Sequence, residues 1–441
     1  MTLHEIQEKY TAVNMEIIDL FGKMRKVTLP ISYFNENVLT QGIGFDASNF
    51  GYAEVTSSDL VLIPDLTKGW TDPFSSYPTL NLFGTIHHFP HDNNPEPFPF
   101  DPTNLLRNAL ALLRHHNIAY NYMILPELEF HIFEELDFSM DPMAPFVDII
   151  GNERTINRSK GYHVARPEDQ TYEIRAEIVR QIEACGIPVK YHHHEVGLPG
   201  QQEIELDFLP AEKAAEAILI TKFMVHNITS KEGLISTFMP KPIYGAPGNG
   251  MHMHMFLSNS DHQSIFFTKD HPLHLSKTAL HFMGGILKHL GAIMAFSNPS
   301  TNSYKRLIQG FEAPSSKSFA KSNRNSAIRI PAYTSLEETR FEYRTGDATC
   351  NPYLTITALL LAGIDGVLQS IDPYNDTMIE KDKGVPTDLF SAFHELKRDS
   401  EFLKPIFTEE FLDMWIVRKT HEAMLPLNYP NPAEFDTYSN Y

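Results

Sequence analysis

Four stretches of the chain alternate apolar and polar residues with a period of two. In LPELEFHIF (125–133), Glu127 and Glu129 share one side of an extended strand and Leu128 and Phe130 the other. MHMHMFL (251–257) sets His252 and His254 opposite Met251, Met253 and Met255. RFEYR (340–344) places Arg340, Glu342 and Arg344 on one face, with Phe341 and Tyr343 behind. QEIELDF (202–208) groups Glu203, Glu205 and Asp207, and HHHEVGLPG just upstream contains Glu195. Alternation by itself predicts half-exposed strands of an antiparallel sheet with one wet face.

Elsewhere the apolar spacing is helical. Asp101-Pro102 reads as an N-cap followed by proline in the first turn, and Leu105, Leu106, Ala109, Leu110, Leu112 and Leu113 carry that helix to His115. Further helices are expected over 172–185, ended by Gly186, and over 210–230, 276–295, 352–370 and 387–403. Residues 1–98 mix short extended runs (27–30, 60–64, 80–86) with turn residues, as strands packed with one N-terminal helix would. The proline-rich HDNNPEPFPFDP (91–102) reads as a boundary. The expected architecture is α+β, with domains at 1–98 and 102–441 and no internal repeat. A length of 441 residues agrees with two domains.

Composition narrows the partners. Lysine and arginine total 36 against 55 acids, a net charge of −19, which argues against nucleic acid. It leaves open an anionic substrate held by a local cation cluster. The two cysteines, Cys185 and Cys350, have no paired spacing, so neither a disulfide framework nor a zinc motif is expected. MTLHEIQEKY lacks a signal pattern, and the apolar run around 354–368 is short and contains Asp365. A cytoplasmic protein without a membrane partner is the expectation.

The polar faces of the four strands are unusual in kind. A wet face normally carries Lys, Thr, Ser and Gln; these carry Glu, His and Arg. Carboxylates with one or two imidazoles suit Mg²⁺ or Mn²⁺, and arginine supplies a planar fork for phosphate or carboxylate oxygens. Carboxylates so crowded would repel and raise one another's pKa unless cations neutralised them. Two loops add to this. FMPKPIYGAPGNGMH (238–252) is rich in glycine and proline and could bring backbone N–H groups to an anion. The long polar segment 302–331, with Arg306, Glu312, Arg324 and Arg329, is expected to behave as a lid.

LPELEF, HHHEVGLPGQQEIELDF, TFMPKPIYGAPGNGMHMHMFL, NPSTNSYKRLIQGFEAP, NRNSAIRIP and RFEYR…NPYL together resemble type I glutamine synthetase, in the family's order and spacing. The likeness covers nearly the whole chain, from EIIDLFGKMRKVTLP (16–30) to PAEFDTY (432–438). It implies an N-terminal β-grasp domain and a larger catalytic domain with a curved antiparallel sheet flanked by helices. It also implies a dodecamer of two stacked hexamers, with sites between neighbouring subunits. The implied reaction is ATP-dependent condensation of glutamate with ammonia through γ-glutamyl phosphate. One metal would be held by Glu129, Glu195 and Glu203, the second by Glu127, His252 and Glu342. Arg306, Arg324 and Arg344 match arginines that hold glutamate or the transferring phosphate, and Gly248 a backbone contact to glutamate. His254 and Arg340, with Arg329 nearby, match nucleotide-phosphate contacts. Glu312 matches a lid acid over the ammonium site. Asp46, in GIGFDASNFGYAEV (42–55), matches the proton-accepting aspartate that a neighbour contributes.

Several positions depart from the family's pattern. FDASNFGY is shorter than the usual loop, and Asn49 stands where a serine is usual. Pro247 replaces an asparagine beside glutamate, Phe256 a serine near the nucleotide, and Gln309 a proline leading into the lid. The stretch 372–389 lacks an adenylylation tyrosine motif, and Tyr374 does not supply one. The departures surround the amine and glutamate pockets and spare the metal ligands. Three readings follow: a glutamine synthetase, a γ-glutamyl ligase for a larger amine, or a non-catalytic oligomeric scaffold. Asp46 could also simply cap a turn.

Overall fold

The computed structural model describes residues 1–89, 94–151, 153, 160–308, 310–311, 313–332, 335–336, 338–375 and 384–438. The N-terminal part is a six-stranded sheet. Ala12–Ile18 forms an antiparallel hairpin with Met24–Pro30 and pairs in parallel with Thr79–His88. Asp59–Thr71 and then Ile43–Asp46 extend the sheet beyond Thr79–His88. Two short helices, Leu3–Lys9 and Glu36–Gln41, accompany it where one was expected. The second was hidden because its six residues bury only Val38 and show no helical stripe.

The larger part is built on a nine-stranded sheet. Its order runs Val189–His194, Gln201–Leu206, Asn121–Phe133, Met251–Ser258, Phe341–Tyr343, Ser326–Ile330 and Ser316–Lys321. Neighbours are antiparallel except the last pair. Ala211–Lys231 packs on Asn121–Phe133, and Lys277–Lys288 crosses Pro352–Leu368. That crossing is tight: a Cβ on Gly285 would lie 2.0 Å from the Ala362 carbonyl oxygen. The two parts are tied by hydrogen bonds at helix starts. Asn351 caps Pro352–Leu368 by accepting from the amides of Tyr353 and Leu354, while its Nδ2 donates to the carbonyls of Asp19 (3.3 Å) and Leu20 (3.1 Å). Asp101 caps Pro102–His115 as expected and also accepts from the Ile86 amide at 3.0 Å. Burial pushes its carboxyl up to about 6.

Several expectations need correction. The acidic strand ends at Leu206, which leaves Asp207 exposed and off the face shared by Glu203 and Glu205. The alternating faces are not wet: Glu127, Glu129, His252, Glu203 and Glu342 are all buried. Half of the expected lid belongs to the sheet, because Ser316–Lys321 and Ser326–Ile330 pair along its edge. The segment 387–403 is a helix, Leu389–Arg398, followed by a separate turn at Glu401–Leu403. Among the described residues three helices of the larger part went unread: the short Ser303–Arg306; Glu409–Asn428, which docks Trp415 with its Nε1 donating to the Ala295 carbonyl at 3.1 Å; and Pro432–Tyr438. Pro426 and a dense run of charges obscured Glu409–Asn428. Residues 376–383, within the stretch without the adenylylation motif, lie outside the described residues.

The segment 276–295 is two helices, Lys277–Lys288 and Leu290–Ser297, bent by 74°. His289 sits at the bend, stacked on Phe402 at 4.0 Å. Its Nδ1 meets Asp399 Oδ2 at 2.8 Å and its Nε2 meets Asp365 Oδ2 at 2.9 Å. Both nitrogens can donate only in the imidazolium form. Burial alone would lower the pKa of His289, but the bonds to Asp365 and Asp399 outweigh it and hold the pKa above the usual range. Both helices of the pair are mostly buried, and among the described residues no single helix is long and apolar enough to cross a membrane.

A raised histidine pKa adds stability that is complete below the unfolded value and fades as pH rises through the folded value. His289→Gln should therefore lower the thermal midpoint strongly at pH 6, by the equivalent of ~3 kcal/mol for breaking a buried pair. Its penalty should shrink by pH 9. Equal penalties at both pH values would mean that shape, not charge, matters at the bend.

Candidate active site

Directly opposed residues in a sheet point to the same side, so the register assembles the site. One row crosses Tyr191, Glu205, Glu127 and His252; its neighbour crosses His193, Glu203 and Glu129. A third joins His254, Glu342 and Arg329. Glu195 follows the strand Val189–His194, and its Oε2 accepts from the Val196 amide at 2.5 Å. Behind this region, Arg175 reaches from the helix Tyr172–Ala184 to Asp169, to His192 and to Gln202.

Among the described residues two groups could hold a cation: Glu127 with His254 and Glu342, and His193 with Glu195 and Glu203, the ligand atoms of each group lying within 4.8 Å of one another. His252 Nδ1 lies 2.9 Å from Glu127 Oε2, and its Nε2 lies 3.8 Å from Glu129 Oε1. The grouping differs from the expected ligand sets in two ways. His254 sits as close to Glu127 as His252 does, because it is the diagonal neighbour across the strand pair and its Nε2 reaches Glu127 Oε1 at 2.6 Å. His193, which the sequence reading passed over, bonds Glu203 at 3.1 Å. The signal was present: His193 is two residues before Glu195 in HHHEV. Gln201 was also missed. Its Nε2 donates to the Gly248 carbonyl at 3.0 Å and to Asn249 Oδ1 at 3.2 Å, and lies 3.4 Å from Glu129.

Electrostatics divide the acids. Burial opposes ionisation of Glu127, but His254 and His252 beside it hold its carboxyl well below the usual range. Glu342 is likewise lowered against its burial, chiefly by Arg344 and His254. Burial, then Glu203 and Glu129, push the Glu195 carboxyl well up; burial, then Glu127 and Glu129, do the same to Glu203. Buried carboxylates destabilised by one another are what a hard divalent cation relieves, so the donor set fits Mg²⁺ or Mn²⁺.

Glu127, Glu129, His193, Glu195, Glu203 and His252 line one cleft with Gly248, Arg306, Arg324, Arg329 and Arg344. Glu342 pairs with both Arg329 and Arg344. Arg340 Nε donates to His254 Nδ1 at 3.2 Å. Arg306 is buried, with its Nη2 bonded to the carbonyls of Thr345 and Gly346 and its Nε without a partner. Gly248 is pinched between Arg306 and Pro240, where a Cβ would lie 2.2 Å from the Pro240 carbonyl oxygen. Pro247, Phe311 and Tyr162 complete the wall.

Asp46 is elsewhere. It caps the short turn Ala47–Phe50 and is exposed, accepting from the Ser48 amide at 3.0 Å, Ser48 Oγ at 2.7 Å and Asn49 Nδ2 at 2.8 Å. Hydrogen bonds from Ser48 and then Ser58 hold its carboxyl below the usual range. The turn-capping role is thus real, and the chain's own cleft does not include this carboxylate. Glu312 and Gln309 lie outside the described residues.

Two family models match the chain. One described as "Glutamine synthetase, catalytic domain" matches residues 99–438, and one described as "Glutamine synthetase, beta-Grasp domain" matches residues 9–89. Glutamine synthetase of Pseudomonas aeruginosa is 35% identical over 455 residues, covering 97% of this chain and 96% of its own. That of Streptomyces coelicolor is 36% identical over 457 residues, covering 97% and 95%. The cryo-EM structure of Plasmodium falciparum glutamine synthetase superposes with a TM-score of 0.91 at 25% identity, covering 99% of each chain.

Mn²⁺ should raise the thermal midpoint of the protein, and the double variant Glu195→Gln/Glu203→Gln should lose most of that rise. An undiminished rise would place the cation away from these acids.

Proposed function

The chain belongs to the glutamine synthetase family, and on that premise we propose that it is an ATP-dependent ligase joining glutamate and ammonia through γ-glutamyl phosphate. The observation that carries this is the single cleft in which buried acids and histidines face Arg306, Arg324, Arg329 and Arg344. A non-catalytic scaffold has no use for such a concentration of mutually repelling buried charge. The ligand assignment is Glu129, Glu195 and Glu203, with His193 beside them, for one Mg²⁺ or Mn²⁺. Glu127, His252 and Glu342, with His254, hold the second.

When bound, the two cations neutralise the acids and the phosphate oxygens of ATP. The chain's own residues do the rest. Arg344 and Arg329, both anchored on Glu342, present fixed donors to the transferring phosphoryl group without rearranging during reaction. His254, held between Glu127 and Arg340, and Arg340 itself bind nucleotide phosphates. Arg306, Arg324 and the backbone at Gly248 orient glutamate, so that its γ-carboxylate attacks in line. Asp46 of a neighbouring subunit, kept ionised by its own turn, binds ammonium and accepts its proton, with Glu312 as the second acid. Closure over the cleft excludes water, which would otherwise hydrolyse the acyl phosphate.

Such a shared site requires assembly, as a dodecamer of two stacked hexamers. The hairpin Glu135–Ser139/Phe146–Ile150 supports it, since Phe138, Met143 and Val147 are left exposed in the single chain. A second reading, a larger amine as acceptor, is favoured by Pro247 and Phe311 in the cleft wall and by Asn49 tied to Asp46.

Phosphate release with ATP, glutamate and Mg²⁺ or Mn²⁺ should be measured against ammonia, methylamine, ethanolamine and polyamines. Ammonia should give the highest kcat/KM, and a larger amine exceeding it would select the second reading. Absence of turnover with every amine would leave the scaffold. Asp46→Ala should lower kcat/KM for ammonia by ~100-fold, the usual scale for a proton-transfer group, with nucleotide affinity intact. Mixed assemblies of Asp46→Ala and Glu342→Ala chains should regain part of the activity that each lacks alone. No recovery would mean that Asp46 does not serve a neighbour.

A further inference from the structure

The strands Val189–His194 and Gln201–Leu206 carry His193 and Glu203 on the cleft side, and Glu195 follows the first of them directly. Val189–His194 ends the sheet, so a single neighbour pairs with it, and that pairing shifts register between Val189 and Tyr191. Burial and then repulsion from neighbouring acids raise the carboxyls of both Glu195 and Glu203. The acids therefore push on the least supported strand of the sheet. The back of this strand pair is polar, whereas Leu128 and Phe130 on the next strand are apolar. Alternation places His192, His194 and Gln202 there. Arg175, 2% exposed, reaches them from the first turn of Tyr172–Ala184. Its Nε donates to His192 Nδ1 at 2.9 Å and its Nη1 to Gln202 Oε1, so one guanidinium bridges the two strands diagonally. Asp169 fixes the fork at its base, accepting from Nη2 at 2.7 Å and from Nη1 at 3.3 Å. His192 accepts on Nδ1, so its ring is neutral, and burial and then Arg175 lower its pKa.

We propose that Arg175 and Gln202 are positioning residues of the cation site: from behind the sheet they hold His193, Glu195 and Glu203 at the spacing a divalent cation needs. The proposal rests on the cation assignment above. Gln202 carries the argument. It is fully buried, and its Nε2 has no partner among the described residues. A buried donor left unpaired is unfavourable, and an unbranched methionine would fill the same space without one. What the amide supplies and methionine cannot is Oε1, and that atom bonds Arg175. The arginine is specified in the same way. Only a planar fork with several donors meets His192, Gln202 and Asp169 at once, and a lysine ammonium does not. The charges of Arg175 and Asp169 cancel, so the pair acts on the spacing of the strands and not on the net field at the acids. Groups that orient metal ligands without touching the metal set its affinity, typically by about 10–100-fold.

The test is calorimetric titration of Mn²⁺ into the assembled protein, beside the thermal midpoint measured without metal. The double variant Glu195→Gln/Glu203→Gln identifies the binding step that belongs to these acids. In Gln202→Met that step should weaken by about tenfold or more, while the other step and the metal-free midpoint hold. Gln202→Glu keeps an acceptor for Arg175 and should retain the affinity that Gln202→Met loses. Arg175→Lys should weaken the same step, and if that variant does not fold, the two Gln202 variants decide. Unchanged Mn²⁺ affinity in Gln202→Met would overturn the proposal, even if its midpoint fell. So would a loss in Gln202→Glu as large as in Gln202→Met. If the double variant leaves every step intact, the cation assignment falls and the positioning role falls with it. If the double variant removes a step that Gln202→Met leaves untouched, only the positioning role falls.

Discussion

Carboxylates packed side by side on one buried sheet face are the constraint to which the rest of the structure answers. Glu127, Glu129, Glu195, Glu203 and Glu342 lie within a few strands of one another, each more than nine-tenths buried. Left alone they would repel, and the raised pKa values of Glu195 and Glu203 register burial first and that repulsion second. Glu127 and Glu342 escape it because histidines and arginines stand beside them. The same face is thus split into a compensated half and an uncompensated half. The cation binding and the phosphate binding proposed for this site both follow from that split.

Holding such a face together takes rigid backing. The helices Ala211–Lys231 and Lys277–Lys288 pack on the apolar side of the sheet, and Gly285 lets the second of them approach Pro352–Leu368 to backbone contact. Asn351 and Asp101 connect the N-terminal sheet to the starts of two helices of the larger part. The turn that caps at Asp46 belongs to the N-terminal sheet and faces outward. Its carboxylate is therefore rigidly presented, and assembly brings it to a neighbour's cleft in the proposed mechanism.

Much of this was legible from residue order. The strand alternation grouped Glu127 with Glu129 and His252 with His254, and the structure keeps those groupings. The cap at Asp101-Pro102 and the helices over 172–185 and 210–230 were equally readable, since each has its start, its stripe and its stop within a short window. What failed was non-local. The break at His289 is set by Asp365 and Asp399, which are 76 and 110 residues away. The edge strands 316–321 and 326–330 look like a polar loop until the sheet that accepts them is in place. His193 looked like one of three successive histidines, and only register showed which of them faces Glu203.

By itself the sequence determined the chemistry available: which side chains share a strand face, that their types suit cations and phosphate, and to which family the motifs belong. These are properties of a period of two and of residue type, and they need no partner strand. Tertiary structure decided which acids neighbour which cations, and therefore which are relieved and which repel. Those outcomes depend on distances across strands, which fall off steeply in their effect, and no spacing along the chain encodes them.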